Sequence, residues 1–411
     1  MTLTKRIASL ILIMLLSNST FASVERVEVY YKIDTGTVRP GIASEKYFAK
    51  VDLNYIASEL CSTEVKARAQ KLVQRHRTDI PSSGAYVTAE DVELRTATLN
   101  CMFDSWEVIA GKQQVTWGQS DYFRVLDIVN PLDVRENLIA YMDDFEEARV
   151  PLVMLNLSKV LEESDFQLLV IPEIRSTILP IYASEFDAFL IEPDKIHLNL
   201  PNDYTFNNTS IASRYRFFMG EWDVGLYGYY GWEHDPLPES QDLEKVSFTL
   251  YRKKLFGASL SKPFGSWVFR SDLALQPNYK SVSNSGISET EQLSMLVGFD
   301  YAFESLNFSI QYAQSRKRKS KNLENIGRLT EQSSASMSKS YFSGRLLVEN
   351  NFILEKNLLG TGYFNKFEVV FQIVENINAS SGLINYFGAE NSTLGQFKDN
   401  SRLFLKLDYI F

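Results

Sequence analysis

Cysteine and histidine are scarce in this 411-residue chain, with two of the first and three of the second. Two cysteines cannot build a disulfide scaffold, though they leave room for one bridge. Twelve prolines and 20 glycines exclude a collagen-like chain, and 45% apolar with 23% charged residues excludes disorder. The 42 basic residues are outnumbered by 51 acidic ones, a net charge of −9, so no broad basic face is available for nucleic-acid phosphates. After Ala22 no apolar run approaches the roughly 18 residues that a membrane helix needs. Enzyme motifs are thin as well. There is no Gly-x-Ser-x-Gly elbow and no His-Glu-x-x-His, and His76, His197 and His234 lie far apart, none beside a nucleophile motif. No cofactor is implied. What the chain has in quantity is aromatic: 27 Phe and 21 Tyr.

The first residues set the compartment. Lys5 and Arg6 precede an apolar stretch from Ile7 to Leu16, and Thr20-Phe21-Ala22 places small residues where a signal peptidase reads. This order predicts a secretory signal peptide over residues 1–22, leaving 23–411 as one domain.

The mature chain is patterned two residues at a time. Leu306, Phe308, Ile310 and Tyr312 alternate with Asn307, Ser309, Gln311 and Ala313, and Met295, Val297, Phe299, Tyr301 and Phe303 do the same. Such alternation predicts strands with one apolar face. The opposite face is mostly Gly, Ser, Asn, Gln and Asp, suited to a wet interior. Short turns at Asp104-Ser105, Gly220-Glu221 and Glu304-Ser305 alternate with long polar stretches, among them 317–337 and 377–400. Aromatics cluster near strand ends (Trp222, Tyr230, Trp267, Phe303), as an interfacial girdle requires. The expectation is an all-β transmembrane antiparallel barrel of about fourteen strands, twelve to sixteen in range. The last strand alternates Leu403, Leu405, Leu407 and Tyr409 and stops on Phe411, which resembles the signal read by the bacterial barrel-assembly machinery. Residues 62–77 read as a short helix instead. Cys61 sits just before it and Cys101 lies on a strand, so one bridge and two separate thiols both stay open.

The unusual stretch is Gly111 to Pro151. It leaves a strand at Trp117-Gly118, turns at Asn130-Pro131, continues with a helical period over Leu132 to Phe145, and returns near Val150. Lys112, Trp117, Arg124, Asp127, Asn130, Asp133, Arg135, Glu136, Asp143, Asp144 and Arg149 make it dense in charge and apolar surface. The expectation is a loop, 118–149, folded into the lumen as a constriction. Packing over the rim is the bland alternative. The run Gly111-Lys112-Gln113-Gln114-Val115 with Trp117-Gly118, then Val129-Asn130-Pro131 and Arg149-Val150-Pro151, resembles a large proteobacterial family of uncharacterised outer-membrane barrels. In layout these resemble porin-type and alginate-export-type channels. Lys112 stands where that family usually has Arg, which puts any bidentate contact in doubt. The resemblance implies an envelope barrel and no particular substrate.

Arg270, Asp272, Asp300, Arg345 and Glu368 are expected to face the lumen, and the basic run Arg316 to Lys321 to meet either solvent or lipopolysaccharide phosphates. Together these features predict a passive channel for a polar or amphiphilic solute, in the outer membrane of a Gram-negative bacterium. Outer-membrane lipid, the assembly machinery and envelope transport proteins are the expected partners. Two other readings compete: a plugged barrel serving lipid or polysaccharide export, and, with less support, a lipid hydrolase using His234.

Overall fold

The computed structural model describes residues 22–411 except 79–83, 137–144, 189, 242–245, 284–285 and 319–328. The strands in chain order are β1 (Ala22–Gly36), β2 (Ile42–Ile56), β3 (Cys61–Arg75), β4 (Tyr86–Phe103), β5 (Trp106–Gln113), β6 (Leu152–Val160), β7 (Ser164–Ile171), β8 (Ile196–Asn199), β9 (Ser210–Met219) and β10 (Trp222–Trp232). They continue with β11 (Leu237–Gln241), β12 (Val246–Thr249), β13 (Arg252–Phe264), β14 (Trp267–Ser283), β15 (Gly286–Phe303), β16 (Leu306–Lys317) and β17 (Leu329–Tyr341). β18 (Leu346–Asn357), β19 (Gly360–Val374), β20 (Ile377–Gly388) and β21 (Arg402–Ile410) complete the chain. Eighteen of these form one antiparallel sheet, which closes where β1 pairs β21 from Glu28↔Ile410 to Gly36↔Arg402. β8, β11 and β12 form a separate small sheet. Closure gives each of the eighteen strands a partner on both sides over at least part of its length.

The alternation divides the faces. On β15 and β16, Val297, Phe299 and Tyr301 lie in register with Tyr312, Ile310 and Phe308 on the outer face. Gly298 and Asp300 meet Gln311 and Ser309 on the inner one. The outer side chains stay exposed (Phe299, Ile310, Leu405, Leu407), while Leu296, Gln311 and Asp272 are buried inside. One end of the barrel carries tight turns at 104–105, 220–221, 265–266 and 304–305. A positive φ at Asp104, Gly220, Gly265 and Glu304 fits the twist of their hairpins. The other end carries the long connections.

Eighteen strands replace the expected fourteen, and the extra ones have physical reasons. Residues 62–77 are not a helix but strand β3. Glu64, Lys66, Arg68, Gln70, Leu72 and Gln74 face the lumen, opposite Val65, Ala67, Ala69 and Val73. Lys, Gln, Arg and Ala are good helix formers, but pairing on both sides with β2 and β4 overrides propensity. β17 (LTEQSSASMSKSY) and β20 (INASSGLINYFG) are so rich in Ser, Asn and Gly that their sequences read as loops. Phe342-Ser343-Gly344, all at positive φ, split one expected strand into β17 and β18. β1 supplies the fourth addition.

Candidate functional site

β5 and β6 are only 8 and 9 residues long, so the chain leaves the wall early at Gln113 and rejoins it at Leu152. Asn130, fully buried, ties the two ends together. Its Oδ1 accepts the Val115 N–H (2.9 Å) and its Nδ2 donates to the Val150 carbonyl (2.9 Å). Val150 N–H donates to the Pro131 carbonyl, and Arg124 donates to the carbonyls of Asp127 (2.6 Å) and Asn130 (2.5 Å). Arg149 closes the loop on Asp127 (Nε to Oδ2, 3.0 Å).

From that base the segment crosses the interior. Trp117 donates to Gln167 on β7 (2.8 Å) and packs against Tyr227. Gly118, at φ +83°, passes so close to Asp272 that a Cβ would sit 2.7 Å from its carboxylate. Gln119 N–H donates to that carboxylate (2.8 Å). Arg270 holds Asp121 through two hydrogen bonds (2.8 and 2.6 Å) and Asp300 through a third (2.5 Å). Tyr122 reaches Asn351 on β18 (3.0 Å). Between these anchors Phe123, Val125, Leu126, Ile128 and Val129 are buried against inward Leu152, Met154, Leu169, Leu255 and Leu296. Each such side chain contributes about 1.5–3 kcal/mol by burial. This part of the lumen is packed with apolar side chains.

The returning leg is clamped by charge. A short helix, α1 (Phe145–Ala148), lies against β2–β4. Arg68 and Arg95, each 2% exposed, both reach its end. Arg68 meets Glu147 (3.2 Å) and Glu93 (2.9 Å), and Arg95 donates to the carbonyls of Glu146 (2.7 Å) and Arg149 (2.5 Å). Lys50 pairs with Glu147 (2.8 Å). Arg135 bonds Asp133 (2.6 Å) and Asp91 (3.1 Å), while Lys46 pairs with Glu136. Burial pushes the carboxyls of Glu147 and Asp133 up. The surrounding cations (Arg95, Lys50 and Arg68 for Glu147, Arg135 and Arg68 for Asp133) outweigh it and hold both below the usual range. Asp143 and Asp144 lie outside the described residues.

A slot opens along β1–β3 and β19–β21, enclosing about 1400 Å³ together with the solvent at its mouth, and a second cavity opens between Tyr122 and β14–β18. The lining of the slot holds seven cations (Lys32, Lys46, Arg68, Arg135, Lys366, Arg402, Lys406) and six carboxylates (Glu28, Asp34, Asp133, Glu136, Glu147, Glu368). Among them stand aromatic rings. Tyr30 stacks on Phe48 at 4.4 Å, with Lys406 4.2 Å from its centre, and Lys32 lies 5.1 Å from Phe404. Charges are paired along the wall, for instance Lys366 with Glu368 (2.8 Å) and Arg402 with Glu185 (2.7 Å).

Several sequence expectations need correction. Arg345 is exposed in the turn after β17, not in the lumen, whereas Arg270, Asp272, Asp300 and Glu368 do face inward. Cys61 and Cys101 are directly opposed on β3 and β4 and are bonded to each other. Their bond therefore staples two wall strands, not a helical excursion. His234 is buried, its two ring nitrogens each 3.0 Å from a backbone carbonyl, of Arg175 and Val129. Burial pushes its pKa down, and its two ring nitrogens face the backbones of two different loops. Among the described residues no group of His, Cys, Asp and Glu is arranged to hold a metal. Among the anchoring residues, Arg68 was hidden in sequence because β3 read as a helix, and Lys50, Glu93 and Arg95 because the segment they hold is distant from them in sequence. A period-two count of charges in 62–77 would have exposed Arg68.

Solved structures share this architecture at low identity. OccD3 (OpdP) of Pseudomonas aeruginosa matches with TM-score 0.53 and 8% identity, over 95% of this chain and 90% of its own. OpdK of the same organism, with vanillate, matches with TM-score 0.52 and 9% identity over 95% and 98%. OccAB3 of Acinetobacter baumannii gives 0.50 and 11% over 95% and 98%. At such identities the likeness establishes a porin-like outer-membrane barrel fold. No curated protein matches the chain. Residues 104–411, from the first tight turn through Asn130 and the terminal strand, match the model of a protein family of unknown function, DUF1302, and the chain belongs to that family.

Proposed function

We propose that the chain is a passive channel of the outer membrane, its tight-turn end in the periplasm and its long loops outside. A polar or amphiphilic solute diffuses down its gradient through the slot, and the segment 114–151 narrows the path. The observation that carries this reading is the divided lumen, packed with apolar side chains on one side and lined with both charge signs and aromatic rings on the other. Rings flanked by ammonium groups offer apolar contact and charge together, which suits amphiphilic solutes. Vanillate, present in the OpdK structure, is a solute of that kind. The chemistry needs no cofactor and no covalent step, and the enclosure of His234 by two carbonyls argues against a hydrolase. Phe411 is read as the assembly signal and Arg318, at the loop end, as a lipopolysaccharide contact.

One observation favours a rival. The packed half of the lumen suits a barrel that stays plugged until an envelope partner opens it for lipid or polysaccharide export. Planar-bilayer recording separates the two. Stepwise conductance from the purified chain supports the channel. A silent, correctly folded barrel that conducts only with a co-purified partner supports the rival.

A further inference from the structure

The barrel wall is low over β5–β7. β4 pairs with β3 from Tyr86 to Cys101, but β5 joins it only from Ala97 onward. β5, β6 and β7 hold 8, 9 and 8 residues. At about 3.3 Å per residue and a tilt near 40° they rise only about 20 Å, less than the roughly 25 Å apolar band of such barrels. The cross-strand row Tyr47–Lys71–Glu90 marks the loop-end rim of that band on β2–β4. Val92 and Leu94, one and two outward positions below that rim, are 43% and 44% exposed. Residues 91–96 of β4 thus present, among the described residues, an unpaired edge in the loop-end half of the bilayer, where open edges are not tolerated.

Beside that edge stands a cluster of ions in place of a strand. Lys112 Nζ and Arg175 Nη1 lie 3.9 and 3.5 Å from Glu93 Oε1, and Arg175 Nε is 2.9 Å from Glu173 Oε1. Glu173 Oε2 accepts the Val153 N–H (2.6 Å), closing the top of β6. Gly111, at φ +129°, lies next to the point where the pairing with β4 ends, and a Cβ there would sit 2.1 Å from the Ala97 carbonyl oxygen. On the lumen side Glu93 Oε2 holds Arg68, which lines the slot. One layer of paired side chains therefore separates the slot from the outer leaflet.

We propose that this gap is a side portal, latched by Lys112 and Arg175 on Glu93 and Glu173. Through it an amphiphile with a small charged head and an alkyl tail passes between slot and outer leaflet. The head moves along the ion cluster while the tail stays in lipid. The portal rests on the channel reading above.

The test uses the full barrel in proteoliposomes, with ethanesulfonate and dodecanesulfonate as short and long probes of one headgroup. Lys112→Glu sets a third carboxylate against Glu93 and Glu173 and should open the latch. Dodecanesulfonate transfer should rise at least threefold, ethanesulfonate uptake should hold, and Lys112→Arg should behave as the parent. Arg175→Gln serves as the second variant if Lys112→Glu does not give a heat-modifiable barrel. An equal rise for both probes, or no change for the long one in an assembled variant, would overturn the portal. Absence of ethanesulfonate uptake in every form, the parent included, would instead overturn the channel reading and the portal with it.

Discussion

Replacing Asn130 by Leu strikes the knot that holds the inserted segment while adding no charge and little volume. The side chain is fully buried and satisfies two backbone groups, the Val115 N–H and the Val150 carbonyl, each at 2.9 Å. A leucine leaves both without a partner in a site closed to water. Each buried unsatisfied group costs about 1–3 kcal/mol, so docking of the segment should weaken by about 2–6 kcal/mol. The barrel ladder does not run through Asn130, so strand pairing should survive. Asn130→Asp, which keeps the acceptor and loses the donor, should fall between. The assay is limited proteolysis of the folded barrel followed by mass mapping. Cleavage within 114–151 should rise more than tenfold in Asn130→Leu, with heat modifiability intact. Unchanged protection in an assembled variant would refute the assignment of Asn130 as the knot. Loss of the barrel itself would show that the segment and the wall fold as one unit.

Three further outcomes follow from the same structure. Removing Phe411, or making it charged, should leave a secreted, protease-sensitive chain without a heat-modifiable band, since it ends the closing strand and exchanges backbone hydrogen bonds with Val27. Serine at Cys61 and Cys101 should still assemble, because β3 and β4 remain hydrogen-bonded. Release of the roughly 40-residue loop lowers stability by about 4 kcal/mol at most, read as an earlier unfolding transition on gels. The depressed carboxyls of Glu147 and Asp133 give docking that is fully present above their ordinary values and lost as pH falls through the depressed ones. Cleavage within the segment should therefore rise below about pH 4. Glu147→Gln should raise it already at neutral pH and flatten the acid dependence; an identical acid profile would contradict this assignment.

The strands legible in sequence were those whose outer face is aliphatic or aromatic against a small polar inner face, such as β15, β16 and β21. Those that escaped break that contrast in two ways. On β3 the inner face is charged and the outer face is mostly alanine and valine, so helix-forming residues dominate the window. On β17 and β20 serine occupies both faces, and no hydrophobic period survives. The inserted segment was legible through Trp117-Gly118 and Asn130-Pro131. Its partners were not, because Arg68, Glu93, Arg95 and Asp272 are distant in sequence and meet it only once the sheet closes. The slot was invisible for the same reason: Lys32, Lys46, Lys366 and Lys406 come from both ends of the chain and meet at the β1–β21 seam.

Single-channel recording on a barrel whose residues 120–147 are replaced by a short Gly/Ser linker tests the central claim most directly. That deletion removes Asp121, Tyr122, Leu126 and Val129 from the lumen and leaves every strand in place. The account predicts a heat-modifiable barrel that conducts several-fold more than the parent and takes up larger solutes. A correctly assembled deletion with the parent's conductance and size limit would contradict it.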